Sequence, residues 1–120
     1  MSTTKVSGYG DVLATKGPTS LYLLTSDPDG ASKCTGACAK TWHPLTAAGK
    51  PTAAAGVDPS KLSTFKRDDG TEQVSYNDHA LYTYSGSGLA SGVGLKSNGG
   101  VWYLVSPAGK SIKSTESGGY

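Results

Sequence analysis

Two stretches of the 120-residue chain decide how its fold is read: LYLLTSDPDGASKCTGACAKTW, residues 21–42, and LYTYSGSGLASGVGLKSNGGVW, residues 81–102. They are equally long, each opens on Leu-Tyr, and each closes on one of the chain's two tryptophans, at an offset of 60. The same register brings Gly10 onto Gly70, so that 33 positions align without a gap. Identities are few, but they fall on rare residues, and that favours an internal duplication. Each glycine precedes a strand-like run, DVLAT and TEQVSY, and each Leu-Tyr opens another, LYLLT and LYTY; these runs are rich in residues that suit a pleated, half-buried surface. The halves then diverge. After Tyr22 the chain carries both of its cysteines, and after Tyr82 it carries none.

Working outward, residues 1–9 read as an N-terminal extension and residues 10–113 as a single β domain. Within it lie repeat one (10–46), a linker (47–60) of small residues and turn formers, and repeat two (61–106). Residues 114–120, STESGGY, read as a flexible tail. Asp69-Gly70 and Asn77-Asp78 are turn signals on either side of TEQVSY, so residues 65–84 are expected to form a meander. VWYLV, closed by Pro107, is the most strand-like run of all. The one helical candidate is a short turn near residues 36–41, anchored by Trp42 because so few residues cannot hold a helix without packing. The expected fold is all-β: a small barrel or sandwich of two pseudo-symmetric repeats around a Tyr/Trp core.

Composition agrees with that architecture. Hydrophobic residues make up only 36% of the chain, so its seven tyrosines and two tryptophans supply much of the apolar bulk. The net charge of +2 comes from dispersed residues, with no basic stripe to track a phosphate backbone, which argues against nucleic acid. No apolar segment approaches the roughly 20 residues needed to span a bilayer as a helix. The first residues, MSTTKVSGYG, lack the apolar core of a signal peptide. The chain therefore reads as cytosolic or as a mature domain without its export signal, and composition favours the second.

The motifs carry a resemblance. LYLLTSDPDGASKCTGACAKTWHPL, RDDGTEQVSYNDHALYTYSG and GGVWYLV resemble the bacterial "secreted repeat of unknown function", a family of lipoprotein-like proteins with a Tyr-x4-Asp motif. The similar positions are Leu21, Tyr22 and Asp27; then Cys34, Gly36, Cys38, Ala39 and Trp42; then Asp69, Gly70 and Gln73. The resemblance implies an exported or envelope-anchored bacterial protein built from paired repeats, and it implies no reaction. Two positions depart from the family pattern. His43 stands where the family usually has proline, and Ser87 stands where the second repeat would carry its aspartate.

Cys34 and Cys38 have two readings. An exported protein with an even cysteine count favours a disulfide, which can close if the turn brings the Cα atoms within about 4.4–6.8 Å. The alternative is a copper or zinc site, or a redox-linked module, using Cys34, Cys38 and His43, with His79 recruited through the fold. Asp27-Pro28-Asp29-Gly30 does not fit a calcium-binding EF-hand loop, whose sixth and twelfth positions would be Ser32 and Cys38. Tyr22 and Asp27 could bind a polar ligand together or close the loop by a structural hydrogen bond. Trp42 and Trp102 could form a stacking platform or serve as twin core anchors, and Tyr82, the counterpart of Tyr22 in repeat two, is a further candidate ligand or structural residue.

Catalysis finds little support. The chain has no strand–elbow–helix around Gly-x-Ser-x-Gly, no phosphate loop and no dinucleotide fingerprint. The leading expectation is a non-enzymatic, extracytoplasmic module without a cofactor, secreted or in the cell envelope. It would bind or scaffold an envelope or extracellular ligand or protein through residues 25–33 and 85–98, on loops held by a rigid scaffold. Protein made through an oxidising secretory route and alkylated without reductant should take up no alkyl groups and weigh about two hydrogens less than the reduced chain. Two alkyl groups per chain would instead bring the metal reading forward.

Overall fold

A computed structural model describes residues 2–6, 9–15, 19–28, 30–47, 53–54, 56–67, 69–85, 92–97 and 99–112. The region read as a tail and most of residues 85–91 lie outside these.

Repeat one contributes β1 (Ser2–Val6), β2 (Gly10–Thr15), β3 (Thr19–Ser20), β4 (Tyr22–Leu24), helix α1 (Ala37–Thr41) and β5 (Trp42–Pro44). A 3-10 turn, Pro59–Lys61, leads into repeat two: β6 (Leu62–Lys66), β7 (Glu72–Tyr76), β8 (His79–Ala80), β9 (Tyr82–Tyr84), β10 (Lys96–Ser97), β11 (Gly100–Val105) and β12 (Ser111–Ile112). The described strands form three antiparallel sheets, none closed into a barrel, in a small sandwich-like arrangement. Two of the sheets are three-stranded meanders, β1-β2-β3 and β6-β7-β8. The third is shared between the repeats in the order β10-β11-β4-β9-β5, with β12 on β11.

The offset of 60 carries through the architecture. β1 and β6, β3 and β8, and β4 and β9 begin 60 residues apart. Residues 2–6, read from sequence as part of an extension, thus occupy in repeat one the place that β6 holds in repeat two. In the shared sheet Tyr22 lies directly opposite Tyr82. Trp42 faces Tyr84 as Trp102 faces Leu24, and Pro44 faces Tyr82 as Leu104 faces Tyr22. Each repeat therefore lends its Trp-bearing strand to the other. The halves are interlocked rather than merely adjacent.

The shared sheet is covered on both faces, which explains why LYLL is apolar at every position rather than at alternate ones. Tyr22 and Leu24 point into one core with Trp42, Tyr82, Trp102 and Leu104. Leu21 and Leu23 point into the other with Leu13, Val74, Tyr76 and Leu81. At the centre of the first core the two indoles stack with ring centroids 3.9 Å apart and planes 2° from parallel. Tyr82 meets Trp102 edge-on at 4.9 Å, and Tyr22 meets Trp42 edge-on at 5.2 Å. Gly92 closes over this cluster. A Cβ there would lie 2.6 Å from the Trp42 ring, so the loop can approach the aromatic stack only without a side chain.

The expected meander forms as β6, β7 and β8. Asn77 and Asp78 both take positive φ, 51° and 68°, as a two-residue type I′ turn requires. Its last expected segment, β9, leaves the meander and joins the shared sheet. Tyr76 ties the linker to repeat two: its hydroxyl accepts from the Asp58 amide at 2.9 Å and donates to the Pro107 carbonyl at 2.6 Å.

Trp102→Ala should cost about 3–5 kcal/mol in urea unfolding of the oxidised protein, because it leaves a cavity beneath Trp42. That is a large share of the roughly 5–15 kcal/mol that holds a domain folded. A loss no larger than that of Leu95→Ala, at an exposed position, would remove the indole stack from its central place.

Candidate functional site

The loop after β4 descends from the shared sheet and returns through the two cysteines. Cys34 and Cys38 are joined by a disulfide with Cα atoms 5.1 Å apart. Gly36, at φ 59°, makes the left-handed step between them, and α1 follows as a single turn. The bridge sets Cys34 fully buried, and Cys38 nearly so, against the Trp core. The disulfide closes both sulfurs to the thiolate ligation that the alternative metal set would need. His43 stands exposed on β5, and His79 is half-buried on β8. Among the described residues no three His, Cys, Asp or Glu side chains converge as a metal site would require.

Asp27 does not pair with Tyr22, the residue of its own sequence motif. Its carboxylate instead accepts a 2.5 Å hydrogen bond from the hydroxyl of Tyr82, the equivalent tyrosine of repeat two. Its other oxygen accepts from the Lys33 amide at 2.8 Å, which closes the loop. The Tyr22 hydroxyl accepts from the Gly92 amide at 3.1 Å and so fastens the loop of repeat two. Each Tyr of the Leu-Tyr pair therefore holds the other repeat's loop, another consequence of the interlock.

From Tyr82 a polar chain runs across the junction of the repeats. Ser32 Oγ is hydrogen-bonded to Tyr82 Oη. Since the tyrosine proton goes to Asp27, Ser32 is the donor in that bond. Ser32 Oγ in turn accepts from Arg67 Nη1 at 3.0 Å and from the Cys34 amide at 3.1 Å. Arg67 also donates through Nη1 to Gln73 Oε1 at 2.6 Å and through Nη2 to the Cys34 carbonyl at 2.6 Å. Gln73, fully buried on β7, completes the chain by donating to the Leu81 carbonyl at 2.8 Å. The donors thus run in one direction, Arg67 to Ser32 to Tyr82 to Asp27, an order in which each bond polarises the next. No buried side-chain polar atom among the described residues lacks a partner.

Burial governs the titration of this chain. It pushes the Tyr82 hydroxyl well above the ordinary phenol range, and the Asp27 carboxylate adds to that push. Burial also raises Asp27, against the lowering effect of Tyr82, the Lys33 amide and the Arg67 charge. The Tyr22 hydroxyl is raised by burial too, against its bond from Gly92. On the exposed hairpin Asp69 behaves oppositely: the Thr71 hydroxyl and amide hold it below the ordinary carboxylate range.

Above Arg67 lies an open cleft of about 480 Å³, between the Gly30–Gly36 stretch of repeat one and the β6–β7 hairpin of repeat two. Ser32, Thr35, Phe65, Lys66, Arg67 and Asp69 give it its chemistry. A second cleft of about 580 Å³ opens beside Asp27, with His79 and Lys110. A shallower one of about 370 Å³ lies against Cys38, Trp42, Tyr84 and Leu95.

Of the residues singled out from sequence, Trp42, Tyr82 and Trp102 are buried together in the aromatic core, with Tyr22 beside them. Asp27 and Tyr82 are brought together as a pair. Arg67 was not foreseen, and Ser32 was foreseen only as part of the 25–33 loop. The available signal was that Arg67 is the chain's single arginine among ten lysines; arginine is the residue that a planar, fixed guanidinium site calls for.

Residues 63–106, from within β6 to just past β11, match the model of a family described as a secreted repeat of unknown function. The match covers repeat two, and repeat one has the same order of strands 60 residues earlier. The description as secreted supports an extracytoplasmic location. No helix among the described residues is long and apolar enough to cross a membrane. No curated protein and no solved structure matches the chain.

The raised Asp27 carries a pH signature. Between its ordinary value and its raised folded value, the folded chain binds more protons than the unfolded chain, so stability falls as pH rises through that window. Wild type should therefore gain stability relative to Asp27→Asn when denaturant midpoints are compared at about pH 7 and about pH 4. The opposite trend would mean that the bonds from Tyr82 and Lys33 outweigh burial.

Proposed function

We propose that the protein is a non-enzymatic extracytoplasmic binding module, and that the cleft over Arg67 receives its ligand. The observation that carries this reading is the construction of the cleft floor. A guanidinium of repeat two is held by three hydrogen bonds to acceptors on Ser32, Cys34 and Gln73, beneath an open volume of about 480 Å³. That volume lies within the range of small-molecule sites. A floor locked before a ligand arrives lowers the ordering cost of binding.

Several features support binding over catalysis. The hydroxyls of Tyr82 and Ser32 are committed to hydrogen bonds, and Tyr82 is shifted away from ready ionisation. Neither histidine lines the cleft over Arg67. A nucleophile with a base in reach is the minimum for covalent chemistry; among the described lining groups the Ser32 hydroxyl is committed to Tyr82, and the carboxylate of Asp69 accepts from the Thr71 hydroxyl and amide. No cofactor is required for this role. Of the loops expected to make contact, residues 25–33 contribute directly through Gly30 and Ser32, while Leu95 and Lys96 of the second loop line the shallower recess by Trp42.

The test is a screen of small polar metabolites and oligosaccharides against the oxidised, isotope-labelled protein by amide and side-chain NMR. Shifts should concentrate at residues 30–39 and 65–69. Hits that map to the recess around Trp42 and Leu95, or no hit shifting the cleft residues, would overturn the assignment.

A further inference from the structure

Arg67 is a half-buried cation whose hydrogen bonds among the described residues all go to neutral groups: a hydroxyl, a side-chain amide and a backbone carbonyl. It forms no ion pair among the described residues, where the one such pair is Lys61–Asp58 at 3.7 Å. Asp27 and Asp69 feel its field, but neither carboxylate touches it. A desolvated charge is ordinarily paired. Three of the five guanidinium N–H groups are taken by the protein, which leaves two for another acceptor.

We infer that Arg67 is the anchor of a carboxylate-binding subsite, and that the ligand is a monoanionic, hydroxyl-bearing molecule of about monosaccharide to disaccharide size, of which a uronic acid is the type. The inference rests on the binding reading above and names the ligand class of that same cleft. Charge sets the first limit. Lys66 and Arg67 provide two cations, and Asp69 at the rim stays ionised to below the usual carboxylate range. The described lining residues thus carry one net positive charge, which suits a monoanion and disfavours a phosphate dianion next to Asp69. Geometry sets the second limit, because two remaining donors on a planar group match the two oxygens of a carboxylate. The walls set the third. Gly30, Ala31, Gly36 and Ala39 leave room, Thr35 provides a hydroxyl, and the half-buried Phe65 offers one ring against an apolar sugar face.

The experiment titrates the full oxidised chain with glucuronate, glucose and glucose 6-phosphate, following the Arg67 guanidinium and the Thr35 and Gly36 amides by NMR. Glucuronate should bind at least about tenfold more tightly than either of the others, in keeping with charge-assisted hydrogen bonds of about 1.5–3 kcal/mol. Glucuronate should also shift the Arg67 resonances. Arg67→Lys, which keeps the charge but loses the fork, should abolish that preference. Because Arg67 also supports the loop, Lys66→Gln is the second variant, and it should weaken glucuronate severalfold with glucose unaffected. Equal binding of glucose and glucuronate in the cleft would sink the carboxylate subsite and leave the binding module standing. Tighter binding of the phosphate would replace carboxylate by phosphate as the ligand class. Absence of any shift at these residues with all three sugars would overturn the uronate assignment, whereas failure of the wider metabolite screen to reach the cleft would overturn the binding reading itself.

Discussion

Everything in this fold leans on the parallel stack of Trp42 and Trp102. The two indoles come from equivalent strands of two repeats, and each strand is inserted beside the other repeat's Leu-Tyr strand. Neither half can complete its own core alone. With only 36% of the chain hydrophobic, large rings on a pseudo-two-fold axis are an economical source of buried area. The stack also dictates its surroundings: tyrosines edge-on at its flanks, a glycine where a loop crosses it, and the disulfide packed at its side.

A symmetric frame need not carry a symmetric surface, and here it does not. Repeat one retains Asp27, Ser32 and the bridged cysteines, while repeat two supplies Arg67, Gln73 and Tyr82. The polar chain exists because these unequal contributions meet at the junction. Where repeat one has Asp27 the sequence of repeat two has Ser87, and the Tyr22 hydroxyl accepts from the Gly92 amide. Duplication built the core, and divergence of the two loops built the cleft.

The same division explains what could be read from sequence. The repeat period, the all-β class, the helical turn at residues 36–41 and the meander were legible because they follow from local propensity and from rare residues in register. The cysteine bridge was legible as the favoured of two readings. The interlock was not. Strand pairing across the pseudo-axis depends on which edge each Trp strand joins, and nothing local to WHP or VWYLV specifies that choice. The partner of Asp27 was hidden for the same reason, since the Tyr-x4-Asp spacing suggests a bond within one repeat while the fold makes it between two. Arg67 escaped because its significance lies in three acceptors, two of which, on Ser32 and Cys34, are more than 30 residues away in sequence.

The disulfide then takes on a role that its loop length alone would not suggest. A loop closed across so few residues stabilises the fold by at most about 2 kcal/mol on chain-entropy grounds, too little to account for the packing of the whole domain. Its effect is local. Cys34 presents its carbonyl to Arg67 and its amide to Ser32, so the bridge holds two of the contacts that fix the cleft floor. Cys38 lies against the Trp core, which ties that floor to the buried aromatic cluster. A loop rich in glycine, serine and lysine would otherwise sample many conformations. The staple thus serves preorganisation of the junction more than global stability, and it is placed in the repeat that supplies the loop rather than the one that supplies the cation.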